Sequence, residues 1–357
     1  MFQINFISTF WYFEKVNLRF IGNKTNLLEF IDKSLRDNID NITSVADVFA
    51  GSGSVAKHFK KNNKLVFSND ILKFSYVLQR AYIQINSPKQ ISSVKKSYEF
   101  INELNHVKPM NSFFYEQFAP TNSKNSKYNR NYLSEENAGI LDSAIFKLKS
   151  WEREDVINED LYFYLLASII EAIPYVSNIA GTYGAFLKKD DPRKLKKINF
   201  LIPEIIPSSE NNKAFNLDSL EFLNHIKTDL VYFDPPYNSR QYAPNYHLLE
   251  RVAIQDYNVP TTKTGLHDYK NEKSNWCSKS KVHSVFKENL YTAINCSNSK
   301  YILMSYNSEG LLSKEFIIDT FQKYGILKLD SIKYPRFRNA KKPNSFVEEY
   351  LFFLSVK

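Results

Sequence analysis

Only two cysteines, Cys277 and Cys296, occur in 357 residues, and no pair stands at CxxC spacing. A cysteine zinc cluster or a disulfide framework is therefore not expected to organise the fold, and a reducing compartment fits. No metal site is expected. No run of about 18 apolar residues occurs, so no membrane-spanning helix is expected. The opening MFQINFISTFWYFEK is apolar but lacks a basic leading region and a small-residue cleavage site, and does not read as a signal peptide. Internal repeats are missing as well. These absences lead to the expectation of a cytoplasmic protein, monomeric in solution.

Length points to one large domain with an inserted or appended lobe. The 47 Lys and Arg outnumber the 38 Asp and Glu, a formal charge of +9 that suits a polyanionic partner. A Lys- and Asn-rich composition produces the same excess without such a partner. The 28 Phe and 23 Tyr exceed what a core alone calls for, and aromatics are the side chains on which unpaired bases stack.

Apolar spacing predicts a helix over 26–39, a short strand over 45–49, a glycine turn, a helix from about Ser54, a strand in KLVFSND ending on Asp70, and a helix after it. This βαβα run is the signature of a doubly wound, mostly parallel sheet. Between 86 and 211 the pattern changes. Asn, Ser and Lys become dense, helices are expected in ILDSAIFKLKSW and EDLYFYLLASIIEAI, and a basic segment, GTYGAFLKKDDPRKLKK, follows. That stretch reads as an inserted, mainly helical lobe in a sheet domain made of 1–85 and 212–357. The sheet rhythm resumes in DLVYFD and KYILMSYNS. The chain closes on two strand-like runs around a basic loop, which suits an antiparallel hairpin at the sheet edge.

Three constellations carry chemistry. Asp47, Phe49, Gly51 and Gly53 lie between a strand and a helix, where glycines permit a tight turn and helix amides face a ligand. A dinucleotide fingerprint prefers a third glycine at 56, where Ala56 stands; alanine is tolerated, so nicotinamide is not excluded. Asp47 and Phe49 fit a smaller, zwitterionic adenosyl ligand. Asp70 ends the next strand, a position that accepts hydrogen bonds from ribose hydroxyls. Finally, LVYFDPPY ends a strand on Asp234, Pro235, Pro236 and Tyr237. An exocyclic amine on an aromatic ring is a poor nucleophile because its lone pair is delocalised. Asp234 can accept one of its N–H bonds and the Pro235 carbonyl the other, favouring a pyramidal nitrogen. The prolines fix φ and remove competing donors. Tyr237 offers a flat face, with stacking worth about 1–3 kcal/mol.

With RFIGNKTNLLEFI, DVFAGSGSVA, SND, NLDSLEF, YFDPPYNSRQY, YILMSYNS and VEEYLFFL in that order, the chain resembles the Dam-like, alpha-group N6-adenine DNA methyltransferases, and within them the modification enzymes of type II restriction systems. The resemblance implies a Rossmann-like fold that uses S-adenosylmethionine on double-stranded DNA, with a restriction endonuclease encoded nearby. It assigns Phe20, Gly22, Asn23 and Lys24 to the methionine part of the cofactor, with Asp47, Phe49, Gly51 and Gly53. Asp70 would hold the ribose and Asp218 the adenine amino group; by sequence alone, Lys24 also reads as a helix-start lysine and Asp218 as a helix N-cap. Asp234, Pro235, Pro236 and Tyr237 would form the target-base pocket.

The adenine would be flipped out of the duplex, and its N6 would attack the sulfonium methyl in line, with no covalent enzyme intermediate. Candidates for DNA contact are Arg240, Lys188, Lys189, Arg193, Lys194, Lys196 and Lys197, with Arg336, Arg338, Lys341 and Lys342 in the terminal loop. Neither cysteine has the context needed for attack on cytosine C5. The inserted region maps onto no recognition module, so no target sequence follows. Other acceptors (N4 of cytosine, adenine in RNA, a side-chain amide) stay open, as does a non-catalytic DNA-binding module on the same scaffold.

Overall fold

The computed structural model describes residues 20–39, 41–121, 128–335 and 346–357. Among the described residues seven strands form one sheet: β1 (Ser44–Asp47), β2 (Leu65–Asn69), β3 (Lys213–Phe215), β4 (Leu230–Phe233), β5 (Tyr301–Asn307), β6 (Gly325–Pro335) and β7 (Phe346–Val356), in the spatial order 3-2-1-4-5-7-6. The first five pair with one another in parallel, while β7 runs antiparallel to both β5 and β6. The expected doubly wound sheet is present, with the C-terminal antiparallel hairpin at one end of it. Within the hairpin β7 is the inner strand, beside β5, and β6 is the outer one. The burial patterns supply the reason, since β7 carries the long buried run Tyr350–Leu354 whereas β6 is largely exposed. The three-residue β3 has no pattern long enough to be read from sequence.

Alternation along the strands sends side chains to two cores. Leu230, Tyr232, Leu303 and Phe353 face one, while Val231, Phe233, Ile302, Met304 and Phe352 face the other. The helices are α1 (Leu28–Arg36), α2 (Ser54–Lys61), α3 (Lys73–Gln79), α4 (Val94–Asn105), α5 (Phe113–Phe118), α6 (Glu135–Arg153), α7 (Glu159–Ala172), α8 (Ser219–His225), α9 (Ala243–Ile254), α10 (Val282–Asn295) and α11 (Lys314–Phe321). The second core is closed by α8, α10 and α11.

The first core is closed by α1, α2, α3 and α9, and it continues without a break into α4–α7. The helical stretch between β2 and β3 is thus fused to the sheet domain through α3 and α9. Its helices begin on polar caps that accept backbone amides: Ser134 from Asn137 for α6 and Asn158 from Leu161 for α7.

Candidate active site

Strands β1 and β4 are neighbours, with Asp47 opposite Tyr232. Parallel strands bind ligands beyond their carboxyl ends, so this register brings the turn after β1 and the turn after β4 into one crevice. The result is a cleft of about 890 Å³, part of it open to solvent. Its walls include Phe20, Gly22, Asn23, Lys24, Asp47, Phe49, Gly51, Asp70, Asp218, Asp234, Pro236 and Tyr237. Gly53 and Pro235 are not among these lining residues; they belong to the two turns that carry the wall.

The glycines are needed conformationally. Gly51 (φ +52°) and Gly53 (φ +75°) are both left-handed, and Gly53 is the N-cap of α2. A Cβ at Gly51 would stand 2.7 Å from the Phe20 ring. Asp70 ties this turn to the next one: Oδ2 accepts from Gly51 N at 2.8 Å and Oδ1 from Leu72 N at 2.9 Å. Burial pushes its carboxyl up to about 6, against those two amides. Each oxygen keeps a lone pair free for a further donor. Asp218 lies on the cleft rim and also caps α8, accepting from Leu220 N at 2.9 Å, so both roles read for it from the sequence are sterically compatible.

Asp47 is 1% exposed. Among the described residues its Oδ1 has no hydrogen-bond partner. Burial raises its pKa strongly and the nearby Asp234 and Asp70 raise it further, with backbone hydrogen bonds from Phe49 and Ala56 opposing. An orphaned carboxylate oxygen in a cleft wall is matched to a ligand that brings a cation or a donor. S-adenosylmethionine carries both an ammonium and a sulfonium, so the residues present fit it.

On the other side of the cleft, Lys24 is almost fully buried. Its Nζ lies 2.9 Å from Asp234 Oδ1 and donates to the Tyr237 hydroxyl at 2.6 Å. Burial alone would lower the lysine pKa, but Asp234, Tyr232 and Glu349 together outweigh it and hold the ammonium protonated. For Asp234, burial raises the pKa while Lys24 and the Tyr237 hydroxyl pull it back. The pair stands as an ion pair, because each group supplies the charge that the other needs in a buried setting. The Tyr237 ring is half-buried, edge-on to Tyr306 at 5.7 Å between centroids. The Pro235 carbonyl takes no backbone donor among the described residues.

Several residues in or behind the wall carry no sequence signal of their own. Tyr246 of α9 stacks on Phe20 at 4.8 Å and 4°, and its hydroxyl accepts from Ile21 N at 2.7 Å, which fixes the 20–24 segment over the cleft. Non-helical backbone at Tyr246 kinks α9 there. Gln241 clasps a distant loop by donating to Ser274 O and accepting from Ser274 N, at 3.0 and 2.9 Å, so Glu272, Ser274 and Cys277 join the wall. Gln241 and Tyr242 directly follow the Asp-Pro-Pro-Tyr motif and could have been suspected. Nothing in the sequence marks residues 272–277.

The basic candidates divide. Arg240, Lys188 and Lys189 are exposed, as are Lys196 and Lys197. Two further candidates are paired within the protein: Arg193 forks onto Asp191 (2.7 and 2.9 Å) and donates to Ile179 O, while Lys194 is buried against Asp190 at 3.0 Å and also bonds Asn131. These two charges are spent on holding the segment together. Arg336, Arg338, Lys341 and Lys342 lie outside the described residues.

Comparison with known proteins agrees with the geometry. The family described as D12 class N6 adenine-specific DNA methyltransferase matches residues 20–319. The type II methyltransferase M.FokI of Planomicrobium okeanokoites is 37% identical over 350 residues, covering 94% of this chain and 52% of that protein. The modification methylase StsI of Streptococcus sanguinis is 37% identical over 353 residues, covering 95% and 52%. The type II methyltransferase M.NlaIII of Neisseria lactamica is 34% identical over 331 residues, covering 92% and 94%. The chain thus spans about half the length of the first two relatives and nearly all of the third.

Proposed function

The chain belongs to the D12 class of N6 adenine-specific DNA methyltransferases, and we propose that it methylates N6 of a flipped-out adenine in double-stranded DNA as the modification enzyme of a type II restriction–modification system. One observation carries this reading: the Asp234–Tyr237 turn and the Asp47–Gly53 turn open into the same cleft.

On the cofactor side, Asp47, Phe49, Gly51 and Asp70 would hold S-adenosylmethionine, with Asp218 at its adenine end. The bound cofactor supplies an electrophilic methyl carbon on a sulfonium. The remaining work belongs to the chain. Asp234 accepts one amino hydrogen of the target adenine and the Pro235 carbonyl the other. This draws the nitrogen lone pair out of the ring and aims it across the cleft. Tyr237 flanks the base. Extruding the base costs a few kcal/mol, and phosphate contacts from exposed cations supply much of the affinity. Arg240, three residues beyond Tyr237, and Lys188 and Lys189, beside the segment that hydrogen-bonds to Asn245 at the start of α9, are the cations suited to that task.

The inserted lobe, 86–211, would read the target sequence. Incubation of the protein with S-adenosylmethionine and unmodified duplex DNA, followed by nucleoside analysis, is expected to yield N6-methyladenine; N4-methylcytosine would overturn the choice of acceptor.

A further inference from the structure

Lys24 stands in the segment that the family resemblance gives to the cofactor, yet its hydrogen bonds point to the other half of the cleft. Nζ meets Asp234 Oδ1 at 2.9 Å, the Tyr237 hydroxyl at 2.6 Å and Gly22 O at 3.5 Å. The ammonium is thus committed to an ion pair with Asp234 and a hydrogen bond to Tyr237, with Gly22 O at the limit of hydrogen-bond reach, so its charge is already engaged on the base side. The lysine is placed rigidly. Its backbone opens a 3-10 turn, with Leu27 N donating to Lys24 O at 2.8 Å, and the preceding residues are pinned on Tyr246.

The surroundings of Asp234 are acidic and buried. Asp47 faces it from β1, Tyr232 from β4, Tyr237 and Tyr242 from the turn that follows, and Glu349 from β7. Glu349 is 7% exposed, and its Oε2 has no partner among the described residues. Every one of these groups, if charged, opposes a charge on Asp234; Lys24 is the cation set against them. A carboxylate in such a place protonates unless a counter-ion holds it. A protonated Asp234 would carry a donor on one oxygen and lose its acceptor strength toward an amine.

We infer that Lys24 is a positioning residue for the target-base pocket: it supplies the counter-charge that keeps Asp234 ionised, and it pins the Tyr237 hydroxyl. This inference rests on the methyltransferase reading of the cleft, and it separates Lys24 from the cofactor-binding residues.

The test compares wild type, Lys24→Met and Lys24→Arg for the pH dependence of kcat/KM on duplex DNA, which reports free-enzyme ionisations, and for S-adenosylmethionine affinity by calorimetry. Removing an opposite charge at this distance raises a carboxyl pKa, so the acid limb of Lys24→Met is expected to move to higher pH by about 1–3 units. Most of its deficit should be recovered at alkaline pH. Cofactor affinity should stay within about twofold of wild type, far below the tenfold that marks removal of a direct ligand hydrogen bond. Lys24→Arg keeps the charge and is expected to hold the limb within about half a unit, a check that survives even if the Met variant does not fold. A Met variant with an unmoved limb and cofactor affinity reduced about tenfold or more would overturn the inference and make Lys24 a cofactor ligand. A displaced limb in Lys24→Arg would also overturn it. Failure of the wild-type protein to methylate any DNA would instead defeat the reading of the cleft itself.

Discussion

Asp234→Ala removes both the acceptor for the amino hydrogens and the partner of the buried Lys24 ammonium. Methyl transfer is expected to fall by about two to three orders of magnitude, comparable to deleting a preorganised polar stabiliser. S-adenosylmethionine binding should persist, which calorimetry beside single-turnover kinetics will show. Wild-type turnover in that variant would mean that another carboxylate does the work. A different single residue shows how far local sequence can mislead. Lys60 sits in the run AKHFKKNNK and reads as one more solvated charge. It is 0% exposed, and its Nζ donates to Tyr82 O at 3.0 Å, Ile83 O at 2.8 Å and Ile85 O at 2.7 Å. Burial pushes its pKa down to about 7, while three carbonyl acceptors suit the three N–H bonds of an ammonium. Lys60→Met keeps the volume and orphans those carbonyls. Stability in urea is expected to drop by about 2–4 kcal/mol, with cofactor affinity unchanged.

At the scale of elements, the cofactor side and the base side are joined by Glu250. It lies on α9, which follows the Asp-Pro-Pro-Tyr turn, and it caps α3, which follows Asp70. Its two oxygens accept from Lys73 N at 2.6 Å and Phe74 N at 2.9 Å. Burial, reinforced by Glu272, raises its carboxyl from an ordinary 4.5 to about 8, against those amides. A carboxyl whose folded pKa exceeds its unfolded one takes up a proton on folding between the two values. Its contribution is therefore whole below about 4.5 and erodes as pH climbs to about 8. Relative to Glu250→Gln, which cannot ionise, the wild type should lose stability between about pH 5 and about pH 8 in denaturant titrations; parallel curves would show that Glu250 does not titrate there. Element legibility varied for a physical reason. The parallel strands β1, β2 and β4 are short apolar runs stopped by turn residues, a local signal. The three-residue β3 has too little sequence for a period, and no local feature says that β7 lies inside β6, because that choice rests on which long strand buries more apolar surface.

For the molecule as a whole, the formal charge of +9 predicts DNA affinity that falls steeply with salt. Each phosphate left without its protein cation should flatten the slope of log K against log salt by about 0.9. The double variant Lys188→Ala/Lys189→Ala is therefore expected to lower it by up to about 2, whereas Arg193→Ala should act through stability, since its charge is already paired with Asp191. An unchanged slope in the double variant would remove these lysines from the interface. Read alone, the sequence was enough for the sheet class, the order of motifs, the glycine turn and the Asp-Pro-Pro-Tyr turn, since each depends on backbone preferences and side-chain chemistry within a few residues. Only the folded chain decided the rest. It set Lys24 against Asp234 from a distant part of the chain, closed the cleft with the loop around Ser274, fused the helical lobe to α3 and α9, and buried the Lys60 and Lys194 ammonium groups against internal acceptors. Those outcomes depend on which distant groups share a buried space, where a charge without a partner is too costly to keep.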